Sequence, residues 1–255
     1  MPNRVNISSK PPTLEEALIE LFQNGGAPPN IAKEIYDNLL LMCKEIVNRN
    51  WASIKEENKD ISKNDALIIS SYTYEAKEEY KHYSPYILLN KNLVENDRKE
   101  GITKILKYLF LLLRALRRMN ICKKQNLFRC ITTKVKLEKD QNNEAYVPYE
   151  IGKEKIFWPF ISTLEDESEA ENFLGNNGTG TKYKIKGDDL WGYDISKFNV
   201  DEETIILLEP ERKYVIEEIK NGDIIEVTCK ILNESKVLGI YDKIYKPVVS
   251  IILLI

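Results

Sequence analysis

At about Asn126 the hydrophobic period of this chain changes from that of a helix to that of a strand. Upstream, apolar residues recur every three to four positions, so that one stripe of each helix can be buried. Downstream they alternate, and β-branched and aromatic residues become frequent, so that one face of each strand can be buried. Helices first and strands second predict an α+β architecture rather than the alternating order of a parallel α/β fold. No internal repeat and no Gly/Ser/Pro-rich linker interrupts the chain. Residues 1–255 are therefore expected to form a single domain, mainly helical over 1–120 and β-rich over 121–255, with the helices packed on the sheets.

In the helical part, Thr13 followed by Glu16 is a capping box ahead of Leu14, Ala17, Leu18 and Leu21, and Gly25-Gly26 supplies the stop. Pro28, Pro29 and Asn30 open a second helix expected over Ile31 to Asn48, with Ile31, Ile35, Leu39 and Met42 or Cys43 on one face. A polar loop, NKDISKND, separates it from a third helix expected over Ala66 to Tyr80, and ILLNKNL forms a short fourth. The longest stripe is Ile102, Ile105, Leu106, Leu109, Leu113 and Leu116, on a helix that ends before Asn120. Strands are predicted at LFRCITTKV, KIFWPFIS, TKYKIK, TIILLE, KYVIEEI, DIIEVTCKIL and YKPVVSIILL, with turns at GNNGTG, KNGD and LNES.

Composition narrows the function classes. With 37 basic and 40 acidic residues, a net charge of -3 and no basic stretch interleaved with aromatics, nucleic acid is not the expected partner. The apolar runs YLFLLLRAL and VVSIILLI are too short or too charged to span a bilayer, and the N-terminus has no secretory h-region, so no membrane association and a cytoplasmic location are expected. Cys43, Cys122, Cys130 and Cys229 lack the spacing of a metal site or a disulfide framework. His82 is the only histidine, so any Ser-His or Cys-His mechanism would depend on it.

Three positions carry chemistry. Alternation puts Arg129 on the strand face of Leu127 and Ile131, where a guanidinium needs an anionic partner, either an acidic side chain or a phosphate. Ser162-Thr163 closes an aromatic strand in which Trp158 and Phe160 share the face of Ser162, as core or as a stacking platform. In VDEETIILL, Glu203 is in register with Ile205 and Leu207, whereas Glu202 alternates to the other face. A carboxylate at the mouth of a strand, near a serine hydroxyl and an arginine, can stabilise a sugar-like cation.

In the order Arg129, Ser162-Thr163, Glu203, spaced by 33 and 41 residues, these positions resemble the Arg-Ser-Glu signature of the arginine-type mono-ADP-ribosyltransferases. NLFRCI is similar to that family's Tyr-Arg-Gly strand, IFWPFIST to its aromatic strand leading into Ser-Thr-Ser, and FLG with GTGTKYKI to the strand that follows. GYDISKFNVDEETIILLEP resembles the loop that carries the catalytic glutamate, and DALIISSYTYE, SPYILLNKNL and LLLRALRRM resemble the helical part. The likeness covers about residues 60 to 255.

The resemblance implies a helical lobe on two β-sheets that form a cleft for NAD, which is a co-substrate, with no metal required. Nicotinamide would be released and ADP-ribose passed to a protein arginine, by a monomer with NAD and the acceptor protein as partners. The implied catalytic set is Arg129, Ser162, Asp201 and Glu203. Glu203 would hydrogen-bond the ribose 2′-hydroxyl and stabilise the cation, Ser162 would orient Glu203, and Asp201 would face the acceptor. Arg129 would hold the NAD phosphates, the backbone of Cys130 would meet the nicotinamide amide, Thr163 would support the strand end, and Phe173 would wall the pocket. The chain departs from the family at Asp201, where glutamate or glutamine is usual, and at Leu164, the third position of Ser-Thr-Ser. Asp201 admits water as acceptor, which would make an NAD glycohydrolase. Leu164 and Cys130 admit an NAD-binding module without turnover.

Overall fold

The computed structural model describes residues 11–94, 98–137, 148–175, 178–199 and 203–232. These form two compact units. One holds the described residues up to Met119 together with Lys197–Asn199, and the other holds those from Asn120 to Ser196 and from Glu203 onward.

The first unit is helical. Helix α1 (Leu14–Asn24) starts at the expected capping box, in which the Thr13 hydroxyl accepts from the Glu16 N–H and the Glu16 carboxylate from the Thr13 N–H. Helix α2 (Pro29–Glu57) runs nine residues past the predicted end at Asn48, because Ile54 continues the buried stripe of Ile35, Leu39, Cys43 and Val47. Helix α3 (Lys63–Thr73) begins earlier than predicted, at a Ser62/Asp65 capping box, and ends seven residues before Tyr80. A 3-10 turn (Glu78–Tyr83) follows, then α4 (Pro85–Val94) and α5 (Arg98–Leu116). Ile102, Ile105, Leu109, Leu113 and Leu116 of α5 are all buried, as are Tyr108, Leu111 and Leu112, which makes this the most enclosed helix. Among the described residues no helix is long and apolar enough to cross a membrane.

The second unit is built on strands β1 (Ile121–Lys123), β2 (Asn126–Ile131), β3 (Glu154–Phe157), β4 (Ile161–Thr163), β5 (Gly180–Lys186), β6 (Trp191–Asp194), β7 (Ile206–Leu208), β8 (Arg212–Lys220) and β9 (Ile224–Ile231). They form a four-stranded sheet in the order β1-β6-β7-β4 and a five-stranded sheet in the order β2-β5-β9-β8-β3, in which only β5 and β9 are parallel. The short helix α6 (Glu167–Glu171) lies between β4 and β5. Helices in one unit and two mainly antiparallel sheets in the other make the chain α+β, as predicted.

The single strand predicted at KIFWPFIS is two strands, with β3 in the five-stranded sheet and β4 in the four-stranded one. Pro159 has no N–H to give a ladder and restricts Trp158 before it, so the chain leaves one sheet and joins the other there. The alternation that put Trp158 and Phe160 on the face of Ser162 therefore does not run through a continuous strand. The sheets are stitched nearby by a bridge in which the Phe128 and Leu164 N–H groups each donate to the other's carbonyl at 2.8 Å. Gly180 opens β5 at a φ of 147°, where a Cβ would stand 2.1 Å from the Ile131 carbonyl oxygen, so only glycine allows β5 to meet β2 there. The predicted strand YKPVVSIILL lies outside the described residues.

Candidate active site

Leu127 is fully buried in the core with Tyr183, Ile185 and Ile206, and Ile131 packs on the same cluster. Arg129 shares that face, as alternation predicts, and is half-buried. Its Nη1 donates to the carbonyl of Ser162 at 3.0 Å, which joins two of the sequence-predicted site residues directly. Phe128 and Cys130 point the other way, into a separate apolar cluster with Leu164 and Ala170. Leu164 thus fills a core with Phe128, Cys130 and Ala170 of α6, which accounts physically for an apolar residue at this position.

Backbone direction adds a second point. The Phe128 N–H and C=O face Leu164, so those of Cys130, two residues on, aim to the same side of β2, away from β5. The sheet ladder thus leaves the Cys130 peptide directed at the strand's outer edge, beside Arg129. Burial pushes the Cys130 thiol up to about 11, so the sulfur is a packing group at neutral pH.

Strand β4 pairs antiparallel with β7, with Ser162 opposite Leu207 and Thr163 opposite Ile206. Thr163 is fully buried and donates its hydroxyl to the Ile206 carbonyl at 2.7 Å. Thr163→Val is expected to lower stability by about 1–2 kcal/mol, because that carbonyl loses its partner without gaining water. Chemical denaturation would read the change.

The strand carrying the acids begins at Ile206, two residues later than predicted, so Glu203 precedes the ladder by three residues and is half-buried. Its approach to β7 is nonetheless held, since the Ile205 N–H donates to Ser196 Oγ at 3.0 Å and its carbonyl accepts from the Ile195 N–H at 2.9 Å. Ser196 Oγ in turn donates to Asp194 at 2.5 Å, and the Asp194 carboxylate also accepts from the Ser196 N–H. Asp194 and Ser196 were not singled out in the sequence, although Asp-x-Ser is the signal of such a local turn. Asp201 lies outside the described residues. Phe173, just after α6, is 44 % exposed and open to a ligand. His82 is exposed on the 3-10 turn of the helical unit.

One charged group nearby was also invisible in the sequence. Lys182 of β5 sits opposite Cys130, with a side chain only 11 % exposed, and meets Glu167 and Glu171 of α6 and Glu226 of β9 at 2.7, 2.9 and 3.0 Å. Burial alone would lower its pKa, but the three carboxylate hydrogen bonds outweigh this and raise it. Among the described residues no cluster of His, Cys, Asp or Glu could hold a metal ion.

No protein-family description matches the chain, and no curated protein sequence does. Solved structures do. The ADP-ribosyltransferase Vis of Vibrio splendidus is 18% identical with a TM-score of 0.54, over 80% of this chain and 88% of that one. The ADP-ribosyltransferase HopU1 of Pseudomonas syringae is 17% identical with a TM-score of 0.52, over 74% and 86%. The type III effector XopAI of Xanthomonas axonopodis is 14% identical with a TM-score of 0.57, over 89% and 87%. At such identities the likeness is one of architecture, and the chain has the α+β fold of the ADP-ribosyltransferases.

Proposed function

We propose that this protein is a mono-ADP-ribosyltransferase that transfers ADP-ribose from NAD to a protein arginine and releases nicotinamide. The observation that carries this reading is the meeting of Arg129 with Ser162 at the stitch between the two sheets, beside the strand that Glu203 precedes, within this fold. In the proposed reaction the bond between the ribose C1′ and the nicotinamide nitrogen breaks, and its electron pair leaves with nicotinamide. Glu203 accepts a hydrogen bond from the 2′-hydroxyl and opposes the positive charge developing on the ribose. Arg129 pairs with the NAD phosphates, the Cys130 peptide with the nicotinamide amide, and Phe173 closes one side of the pocket. Ser162 and Thr163 support the strand beside Glu203. An arginine nitrogen then bonds to C1′ and gives up a proton, with Asp201 holding the incoming guanidinium.

Vis has been solved in complex with agmatine, a guanidino compound, and this supports agmatine as the first acceptor to test. Aspartate is one methylene shorter than glutamate, so water competes for C1′ and some NAD hydrolysis is expected. Incubation with labelled NAD, with and without agmatine, should give ADP-ribosyl-agmatine in preference to free ADP-ribose. Free ADP-ribose alone, unchanged by agmatine, would make the protein a glycohydrolase instead.

A further inference from the structure

Three tyrosine hydroxyls meet in the core of the β unit, on the sheet face that carries Arg129. Tyr183 of β5 donates to the Tyr149 hydroxyl at 3.1 Å, and the Tyr149 and Tyr214 hydroxyls lie 3.2 Å apart. Tyr214 of β8 is 1 % exposed and Tyr183 is 5 % exposed, while Tyr149, ahead of β3, is half-buried against the same core. Phe157 of β3 stacks on Tyr214 with ring centroids 3.9 Å apart and meets Tyr183 edge-on at 6.0 Å. Tyr149 is braced on its own account. Its N–H donates to the Lys136 carbonyl at 3.2 Å, and the Lys155 ammonium lies 4.3 Å from its ring centroid.

Sheet cores are ordinarily filled by aliphatic side chains, and a buried tyrosine needs a partner for its hydroxyl. Here the hydroxyls serve one another, so the three rings are fixed in mutual orientation and not merely packed. The place of Tyr183 gives this a consequence. Tyr183 lies directly opposite Arg129 on the β2–β5 ladder, and directly opposed residues hold their side chains next to each other on one face. Its other flank is closed by Val227 of β9, fully buried, with β8 and β3 beyond. Burial pushes the Tyr183 hydroxyl up and the Arg129 charge opposes that rise, as expected of neighbours. Arg129 is thus confined between the Tyr183 ring and the Ser162 carbonyl that its Nη1 meets. We infer that Tyr149, Tyr183 and Tyr214 are positioning residues that hold the Arg129 guanidinium in place for the phosphates of the substrate. This role rests on the proposed function, in which Arg129 pairs with those phosphates. An arginine ordered beforehand has less rotamer freedom to lose when the phosphates bind.

A double-mutant cycle tests it. Tyr149→Phe and Tyr183→Phe each remove one hydroxyl and keep the ring, and each is combined with Arg129→Lys, which keeps the charge but not the planar fork. Affinity is measured by calorimetry for a carbocyclic NAD analogue, which keeps both phosphates and does not release nicotinamide, with a melting curve for every variant. Each phenylalanine variant should bind the analogue about fivefold more weakly than wild type, and in the Arg129→Lys background the same change should weaken binding by less than about twofold. A purely structural role would give equal losses in the two backgrounds, and that result would overturn the positioning of Arg129. Unchanged affinity in both phenylalanine variants would overturn it as well, with the proposed function left standing. Wild-type protein that binds neither the analogue nor NAD would instead overturn the proposed function, and this role with it.

Discussion

Glu203→Gln is expected to lower nicotinamide release by about a hundredfold or more, the scale seen when one preorganised electrostatic partner of a transition state is lost. Glutamine keeps the size and planarity of the side chain and can still meet the ribose hydroxyl. It lacks the negative charge that opposes the developing cation, so the loss should appear in kcat rather than in KM for NAD. Affinity for NAD should change little, because the groups proposed to hold it, Arg129, the Cys130 peptide and Phe173, are untouched. Glu203 is half-buried at the approach to β7, so the comparison needs a melting curve of the variant beside its kinetics. An equal fall in NAD affinity and in turnover would mean that Glu203 binds substrate uniformly and does not act on the transition state.

The second large effect concerns Lys182. Its ammonium neutralises part of a set of three carboxylates drawn from α6 and β9, so Lys182→Met leaves Glu167, Glu171 and Glu226 facing one another. The side chains of these acids are 47, 44 and 38 % exposed and can swing toward water, which softens the penalty. A loss of about 2–3 kcal/mol, or about 5–10 °C in melting temperature, is expected, with Lys182→Arg retaining most of the stability. The pH dependence follows from two shifts. The hydrogen bond from Lys182 lowers the Glu226 pKa against the effect of burial. That contribution is complete above about pH 5 and is lost as pH falls through the lowered folded value. The Lys182 pKa is raised, so its contribution is complete below about pH 10 and is lost as pH rises through the raised folded value. The melting-temperature gap between wild type and Lys182→Met should therefore be widest between about pH 5 and 9 and should narrow as pH falls through the lowered folded value of Glu226. A gap independent of pH would assign the loss to packing.

What could be read from the sequence was local. The Thr13/Glu16 capping box and the α5 stripe each depend on residues within a few positions of one another, and both are present. Strand alternation put Arg129 on the core face with Leu127 correctly, since period two needs no tertiary knowledge. The Ser62/Asp65 box escaped because aspartate replaces the usual glutamate or glutamine at its third position. Pro159 was visible, but its effect of passing the chain from one sheet to the other depends on which partners wait on either side. Lys182 and Lys184 are indistinguishable in TKYKIK and share a strand face, yet one is enclosed by three acids and the other exposed, because the acids of α6 reach Lys182 at the start of β5. The same holds for Phe198, which is buried and whose carbonyl accepts from Thr73, far away in the chain. The bond from Arg129 to Ser162 likewise depends on the Phe128–Leu164 stitch, which no local rule predicts.

The most direct test of the account is to incubate purified protein with NAD and count nicotinamide released per protein molecule, in parallel with Glu203→Gln. The account predicts many turnovers for the wild type and almost none for the variant, with NAD bound by both. NAD binding without nicotinamide release by the wild type would contradict it and leave a nucleotide-binding module on the same fold.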